Sequence, residues 1–146
     1  MKTYLVALDS SPVAADVLAA VKELAPKTEA RVVLLRAVMR PLELPPEAYS
    51  MYPEKLEEML VDTSRKSLEA LALELPQEMV IESIVQVGTP WQVICEVAKA
   101  RNVDLIVLGA HGHRFLDRLL GTTTQRVLNH ADRSVLVVWP PLRSKK

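Results

Sequence analysis

Three of the chain's four glycines, Gly109, Gly112 and Gly121, fall within thirteen residues. The stretch reads Leu-Gly-Ala-His-Gly-His-Arg-Phe-Leu-Asp-Arg-Leu-Leu-Gly-Thr-Thr-Thr-Gln, and it follows a short apolar run, Leu105 to Leu108. Glycine that is scarce elsewhere and clustered here marks a backbone that takes up positive φ or lets a partner approach closely. Phosphate is the partner that suits it. Thr122-Thr-Thr-Gln125 has the pattern of a capping box, in which the Thr122 hydroxyl takes one free amide while Gln125 reaches back to another. A helix start is therefore predicted there, and the amide donors of its first turn, with the positive end of the helix dipole, form a natural anion site. Gly121 removes the side chain that would block access, and Arg114, Arg118 and Arg126 stand close in sequence as sources of charge-assisted contacts. The same glycines also serve a tight loop and a capped helix with no ligand, and spacing alone leaves both readings open.

A carboxylate about 100 residues earlier completes the pattern. Tyr4 to Leu8 is a near-continuous apolar run ending at Asp9, after which Ser10-Ser11-Pro12 supplies a cap and a proline for a first helical turn. Val13, Val17, Leu18, Val21 and Leu24 then recur at helical spacing until Pro26, which is expected to end the helix. Arg31 to Val38 is a second strand. Pro41, Pro45, Pro46 and Pro53 forbid regular structure over residues 40 to 54, which are expected to form a surface loop. From about Glu54 a long helix is expected to carry Leu56, Met59, Leu60, Leu68, Leu71 and Leu75 inward until Pro76 stops it.

The third strand, Met79 to Val87, mixes Glu82, Ser83 and Gln86 among apolar residues, which places it at an edge. Gly88-Thr-Pro-Trp-Gln92 repeats the helix-start logic, with Thr89 as cap, Pro90 in the first turn and Gln92 three residues after the cap. A helix to about Arg101, a strand from Val103 to Leu108, a helix over 123 to 130 and a strand from Val135 to Trp139 complete the alternation.

Strands that alternate with helices and are apolar on both faces define a doubly wound α/β domain with a parallel sheet covered on two sides. Ligands of such folds sit beyond the carboxyl ends of the strands, where the strand order reverses. If the first and fourth strands are neighbours, Asp9 can accept from ribose hydroxyls while the glycine loop faces phosphates. Asp9 can equally well cap the helix that follows it.

Composition narrows the rest. A chain of 146 residues, 49% hydrophobic, is enough for one core and short for two, so residues 1–146 are expected to form a single domain. Eighteen acids balance eighteen bases, which leaves no basic field for nucleic acid beyond the small cluster Arg143, Lys145 and Lys146. No run approaches eighteen apolar residues, and the opening runs straight into strand-like sequence, so no membrane segment or leader is expected and the cytoplasm is the expected location. The lone Cys95, set among Val93, Ile94, Val97 and Ala98, fits a reducing compartment and reads as helix packing.

From end to end the chain resembles a universal stress protein domain. The likeness is carried by Leu-Val-Ala-Leu-Asp-Ser-Ser at the start, Val-Val-Leu-Leu-Arg-Ala-Val in the second strand, Val-Gly-Thr-Pro at 87 to 90, Asp-Leu-Ile-Val-Leu-Gly-Ala-His-Gly at 104 to 112, Leu-Leu-Gly-Thr, and Ser-Val-Leu-Val-Val. The family's nucleotide signature is Gly, two residues, Gly, nine residues, Gly, then Ser or Thr. Here Gly109, Gly112, Gly121 and Thr122 match it with eight residues, not nine, between the second and third glycines. The resemblance implies ATP, with Mg or Mn bridging its phosphates, in a pocket formed by Asp9, Ala37, Leu108, Gly109, His111, Gly112, Gly121, Thr122 and Thr123. It also implies a flavodoxin-like (adenine nucleotide alpha-hydrolase-like) sheet of order 3-2-1-4-5 and a homodimer paired through Val135 to Trp139, an apolar edge that would otherwise invite uncontrolled pairing.

Three histidines, His111, His113 and His130, have no cysteine or glutamate cluster at metal-ligand spacing, which argues against a structural zinc site. His111 is placed near the phosphates, His113 toward solvent, and His130 at the end of the last helix, where it complements the dipole. There is no P-loop and no nucleophile elbow. With no evident base to orient water, hydrolysis of ATP is expected to be slow at most. Three readings follow: an ATP-binding, nucleotide-responsive stress protein, a dimeric scaffold of the same fold without a ligand, and a slow ATPase.

Overall fold

The computed structural model describes residues 1–40, 53–110 and 121–141. The elements are β1 (Lys2–Ala7), α1 (Val13–Lys27), β2 (Ala30–Val38), α2 (Pro53–Ala72), a 3₁₀ turn (Gln77–Met79), β3 (Val80–Val87), α3 (Pro90–Ala100), β4 (Leu105–Gly109), α4 (Thr122–His130) and β5 (Ser134–Val138). The strands lie in the order β3-β2-β1-β4-β5, and every pairing is parallel. This is the doubly wound order expected from the family likeness, and β3 takes the edge that its polar residues foretell.

Each face of the sheet carries its own core. Tyr4, Val6, Val32 and Leu34 meet Val17, Leu18 and Val21 of α1 and Leu68 of α2 on one side. Leu5, Val33, Leu35 and Ile106 meet Val93, Ile94 and Val97 of α3 and Val127 of α4 on the other. Alternate residues of each strand point to opposite faces, so a strand buried on both must be apolar throughout, and β1, β2 and β4 are nearly so.

Three local expectations are corrected. Pro26 lies inside the last turn of α1 and does not end it. The proline removes one amide, but the Thr28 amide donates to the Leu24 and Ala25 carbonyls, the Thr28 hydroxyl bonds the same two carbonyls, and the Tyr4 hydroxyl meets it there. Helix α2 ends at Ala72, four residues before Pro76, because Glu74 and Leu75 turn back onto the Leu71 and Ala72 carbonyls. Met59 is half exposed, whereas Leu68 and Leu75 are buried, so the inward stripe narrows toward the start of that helix. The proline-rich stretch 41 to 52 lies outside the described residues.

Cys95 sits half-buried on α3. Burial, then the charges of Asp132 and Glu96, push its thiol up from its ordinary value. Thiolate is the reactive form, so at pH 8 native Cys95 is expected to alkylate with iodoacetamide several-fold more slowly than the urea-unfolded chain. A thiol raised in the folded state adds stability below its unfolded pKa and loses it as the pH climbs through the folded one. Equal alkylation rates in the two states would contradict this assignment.

Candidate functional site

Strand β1 lies between β2 and β4, so the chain leaves β1 toward one side of the sheet and returns on the other, and a crevice opens at their carboxyl ends. A cleft of about 130 Å³ fills that position. Its walls are Ala7, Leu8 and Asp9 from the end of β1, Val13 and Val17 from α1, Leu35 and Ala37 from β2, Pro90 and Ile94 from α3, Leu108 and Gly109 from β4, and Thr123 and Thr124 from α4. The size is close to the roughly 150 Å³ apolar cavity that accommodates benzene, so the enclosed part suits one aromatic ring system and leaves polar appendages outside.

Helices α1, α3 and α4 all begin at this end of the sheet, with Val13, Pro90 and Thr123 of their first turns in the cleft wall. Three positive dipole ends therefore converge near one carboxylate, Asp9. The Asp9 Oδ1 accepts the Ser11 amide at 2.9 Å, and the Ser11 hydroxyl accepts the Val13 amide at 3.3 Å. Asp9 thus does shape the turn before α1, while remaining in the cleft wall.

The start of α4 differs from the capping box expected of it. Gly121 is the N-cap, at φ 80° and ψ 155°, and no side chain caps the helix. Thr122 is the first helical residue and is exposed, and the Gln125 amide donates to the Gly121 carbonyl. The hydroxyl that decides the geometry belongs to Thr124, which is buried and donates to the Gly109 carbonyl at 3.1 Å. That bond docks the first turn of α4 onto the end of β4. Thr89 likewise stands at the N-cap of α3 without a side-chain bond, so the second expected capping box is also absent and Pro90 alone marks the start.

Gly109 has a reason of its own. A Cβ there would lie 2.4 Å from Val13 Cγ1 and 3.1 Å from Val17 Cγ2, so this glycine lets α1 pack against β4. Close approach is real at this position, and the approaching group is a helix.

Of the residues expected in the site, Asp9, Ala37, Leu108, Gly109 and Thr123 share the cleft wall. Gly121 and Thr122 stand next to it at the head of α4. His111 and Gly112 lie outside the described residues, as do His113, Arg114 and Arg118. Arg126 is exposed on α4 and is absent from the cleft wall. His130 closes α4, its Nδ1 2.8 Å from the Arg126 carbonyl and its ring 4.3 Å from that of Trp91. Among the described residues, no three His, Cys, Asp or Glu side chains gather as a metal site, and no helix is long and apolar enough to cross a membrane.

Two residues that bond the backbone beside the cleft escaped sequence reasoning. Thr124 is one of three successive threonines, and type alone does not say which is turned inward. Arg36 carried a signal, a charged side chain inside Val-Val-Leu-Leu-Arg-Ala-Val. It is only 7% exposed, and its Nε and Nη2 donate to the carbonyls of Leu8 and Asp9 at 3.2 and 2.9 Å. Burial lowers its pKa from the ordinary guanidinium value, and the nearby charge of Asp9 opposes that shift.

Because Thr124→Val keeps the shape but orphans the Gly109 carbonyl, it is expected to cost about 1–2 kcal/mol, read by urea denaturation. An unchanged midpoint would mean the bond does not hold α4 in place.

A parallel sheet of order β3-β2-β1-β4-β5 with its cleft at the β1/β4 reversal defines a doubly wound α/β domain with a switch-point cleft. Residues 1–138 match the model of the universal stress protein family, and the chain belongs to that family. It is 32% identical over 145 residues to Universal stress protein A homolog 1 of Coxiella burnetii, covering 94% of this chain and 96% of that one. The solved structure of MJ0577, a universal stress protein of Methanocaldococcus jannaschii, superposes with a TM-score of 0.80 at 26% identity over 97% of this chain and 98% of that one. The universal stress protein of Archaeoglobus fulgidus, solved in complex with dAMP, shares the fold with a TM-score of 0.66 at 17% identity, over 94% of this chain and 98% of its own.

Proposed function

We propose that this protein binds ATP in the cleft between β1, β2 and β4 and acts as a nucleotide-responsive stress protein of the cytoplasm. The observation that carries the reading is the head of α4. It has no side-chain cap, it is pinned to β4 through Thr124, and it borders a cleft with Asp9 opposite. First-turn amides without intrahelical partners are anion donors, and a carboxylate across from them is a ribose acceptor. The apolar wall of Leu35, Ala37, Pro90 and Ile94 suits the base. Capture of dAMP by a protein of the same fold supports an adenine nucleotide as the ligand class.

In this reading Asp9, Ala37, Leu108, Gly109 and Thr123 surround the nucleoside, while His111, Gly112, Gly121 and Thr122 serve the phosphates. A divalent Mg or Mn ion bound to those phosphates would offset their charge. The described residues offer no metal cluster of their own, so the metal would arrive with the nucleotide. Strand β5 is an edge whose Val135, Leu136, Val137 and Val138 are each only partly buried, which supports a homodimer through that strand.

Calorimetric titration with ATP and Mg is expected to give saturable heat. Melting should rise in step, since a ligand at 100 times its Kd adds roughly 2.7 kcal/mol. No heat and no rise in melting temperature at millimolar nucleotide would leave the ligand-free scaffold as the function of this fold.

A further inference from the structure

Strand β3 is the edge of the sheet opposite β5. The Gly88 amide donates to the Val38 carbonyl of β2 at 2.9 Å. In a parallel ladder, alternate residues of a strand bond alternate sides, so Ile84 and Gln86 also bond β2, and the amides and carbonyls of Ser83, Val85 and Val87 point outward. Among the described residues no backbone group takes them. Edges are usually blunted by a charge, a proline or a bulge. Here the register shift comes earlier, where Val32 and Val33 face Val80 and Glu82, and residues 83 to 87 contain neither charge nor proline. Beside this edge a groove of about 140 Å³ runs between β3 and α3, lined by Ile84, Gln86, Glu96, Val97, Ala100 and Arg101. None of the six lines the cleft at β1 and β4.

We infer that the β3 edge and this groove form a docking site for an extended segment of another protein, which adds a strand beside residues 83 to 87 and carries an aliphatic residue with an arginine or lysine two places away. Main-chain bonds to an open edge supply affinity, and a pocket beside it selects side chains at alternate positions. The groove is close in size to a cavity that holds benzene, so it takes one aliphatic side chain, and Ile84, Val97 and Ala100 give it an apolar floor. The charge requirement comes from its ends. Arg101 is held by Glu82 through two bonds, its Nη2 3.2 Å from Glu82 Oε2. Glu96 lies further back along α3, toward Gln86, and is exposed, and among the described residues no basic side chain pairs with it. A basic residue two places from the anchor falls on the same face of the added strand and meets that carboxylate. A second copy of this chain is a poorer occupant. Paired antiparallel about Val85, it would bring its own Glu82 to the Glu96 end, like charge against like. The homodimer proposed above uses β5 and leaves β3 open.

The test uses the whole chain, labelled for amide NMR, and the end-blocked peptide Thr-Arg-Thr-Ile-Thr-Arg-Thr, which offers isoleucine and an arginine to the groove in either direction. Saturable shifts are expected at the Ser83, Val85 and Val87 amides. With peptide at ten times its Kd, hydrogen exchange at these amides should slow by about tenfold. Exchanging both arginines for glutamates should weaken binding about threefold, and Glu96→Lys should reverse that order, a swap that no general loss of structure produces. Val85→Pro removes the central outward amide without touching a bond to β2 and should abolish binding. Ala100→Phe, which fills the groove from an exposed position on α3, should do the same and covers the case in which the proline variant does not fold. No shift at millimolar peptide, shifts confined to the cleft, or a Glu96→Lys chain that still prefers arginine overturns the inference, and so does unchanged binding in either folded variant. Amides of Ser83, Val85 and Val87 that broaden with protein concentration alone also overturn it, by giving the edge to a second copy.

Discussion

Gly109→Ala is expected to lower the melting temperature by about 3–10 °C, and Val13→Ala in the same chain is expected to return most of that loss. The added methyl would lie 2.4 Å from Val13 Cγ1, 3.4 Å from Val13 Cβ and 3.1 Å from Val17 Cγ2. Neither valine can swing aside cheaply, because branching at Cβ leaves one strongly preferred rotamer in a helix. Val17 is also buried at 1% exposure, so the strain passes to the backbone and moves the start of α1 away from β4. Overpacking of this kind costs roughly 1–3 kcal/mol, and at this chain length each kcal/mol shifts melting by roughly 2–4 °C. Removing Cγ1 with Val13→Ala opens the space, so the two changes should couple favourably in a double-mutant cycle. Full stability in Gly109→Ala alone would show that α1 and β4 do not pack as described. The cycle also separates two reasons for a glycine. If the double variant binds nucleotide normally, position 109 needs glycine for its helix neighbour and for no phosphate contact.

The architecture was legible because its signals are local. A strand buried on both faces reads as an apolar run, as in Tyr4 to Leu8, and the polar residues Glu82, Ser83 and Gln86 betray an edge. The helices α1 and α3 announce themselves by spacing and by a proline at or before the first turn. What failed were expectations that depend on which of several local options the tertiary structure selects. Thr122-Thr-Thr-Gln125 fits a capping box, yet the helix starts one residue earlier because Thr124 is drawn to the Gly109 carbonyl and Gly121 becomes the cap. Pro26 reads as a stop, yet the bonds that Thr28 makes let the helix pass it.

The site was legible in the same uneven way. Asp9 and Gly109 meet because the strand order brings β1 beside β4, which the fold class already implies. The purpose of Gly109 was not readable, since a glycine that admits a helix and one that admits a phosphate look alike in sequence. Arg36 was readable as an anomaly but its partners were not, because they are carbonyls 27 and 28 residues away.

Gly121→Val is expected to weaken ATP binding by at least tenfold while costing roughly 1–3 kcal/mol of stability. At φ 80° and ψ 155° this residue occupies a region that is essentially closed to side chains, and a β-branched one is the least tolerated there. The chain has two ways to respond. Either the strain is held in place, or the backbone turns to negative φ and the head of α4 rotates. Thr124 resists rotation through its bond to Gly109, so relief must fall on the peptide groups between them, the first-turn amides assigned to the phosphates. Gly121→Ala should show the same loss in weaker form, since alanine is less crowded at positive φ. Thr122→Ala should change stability little, because Thr122 is exposed and no side chain caps the helix. Titration of the three variants, each checked by its melting temperature, gives the ranking. Binding in Gly121→Val equal to the wild type would place the phosphates away from the head of α4, and with them the role given to its amides.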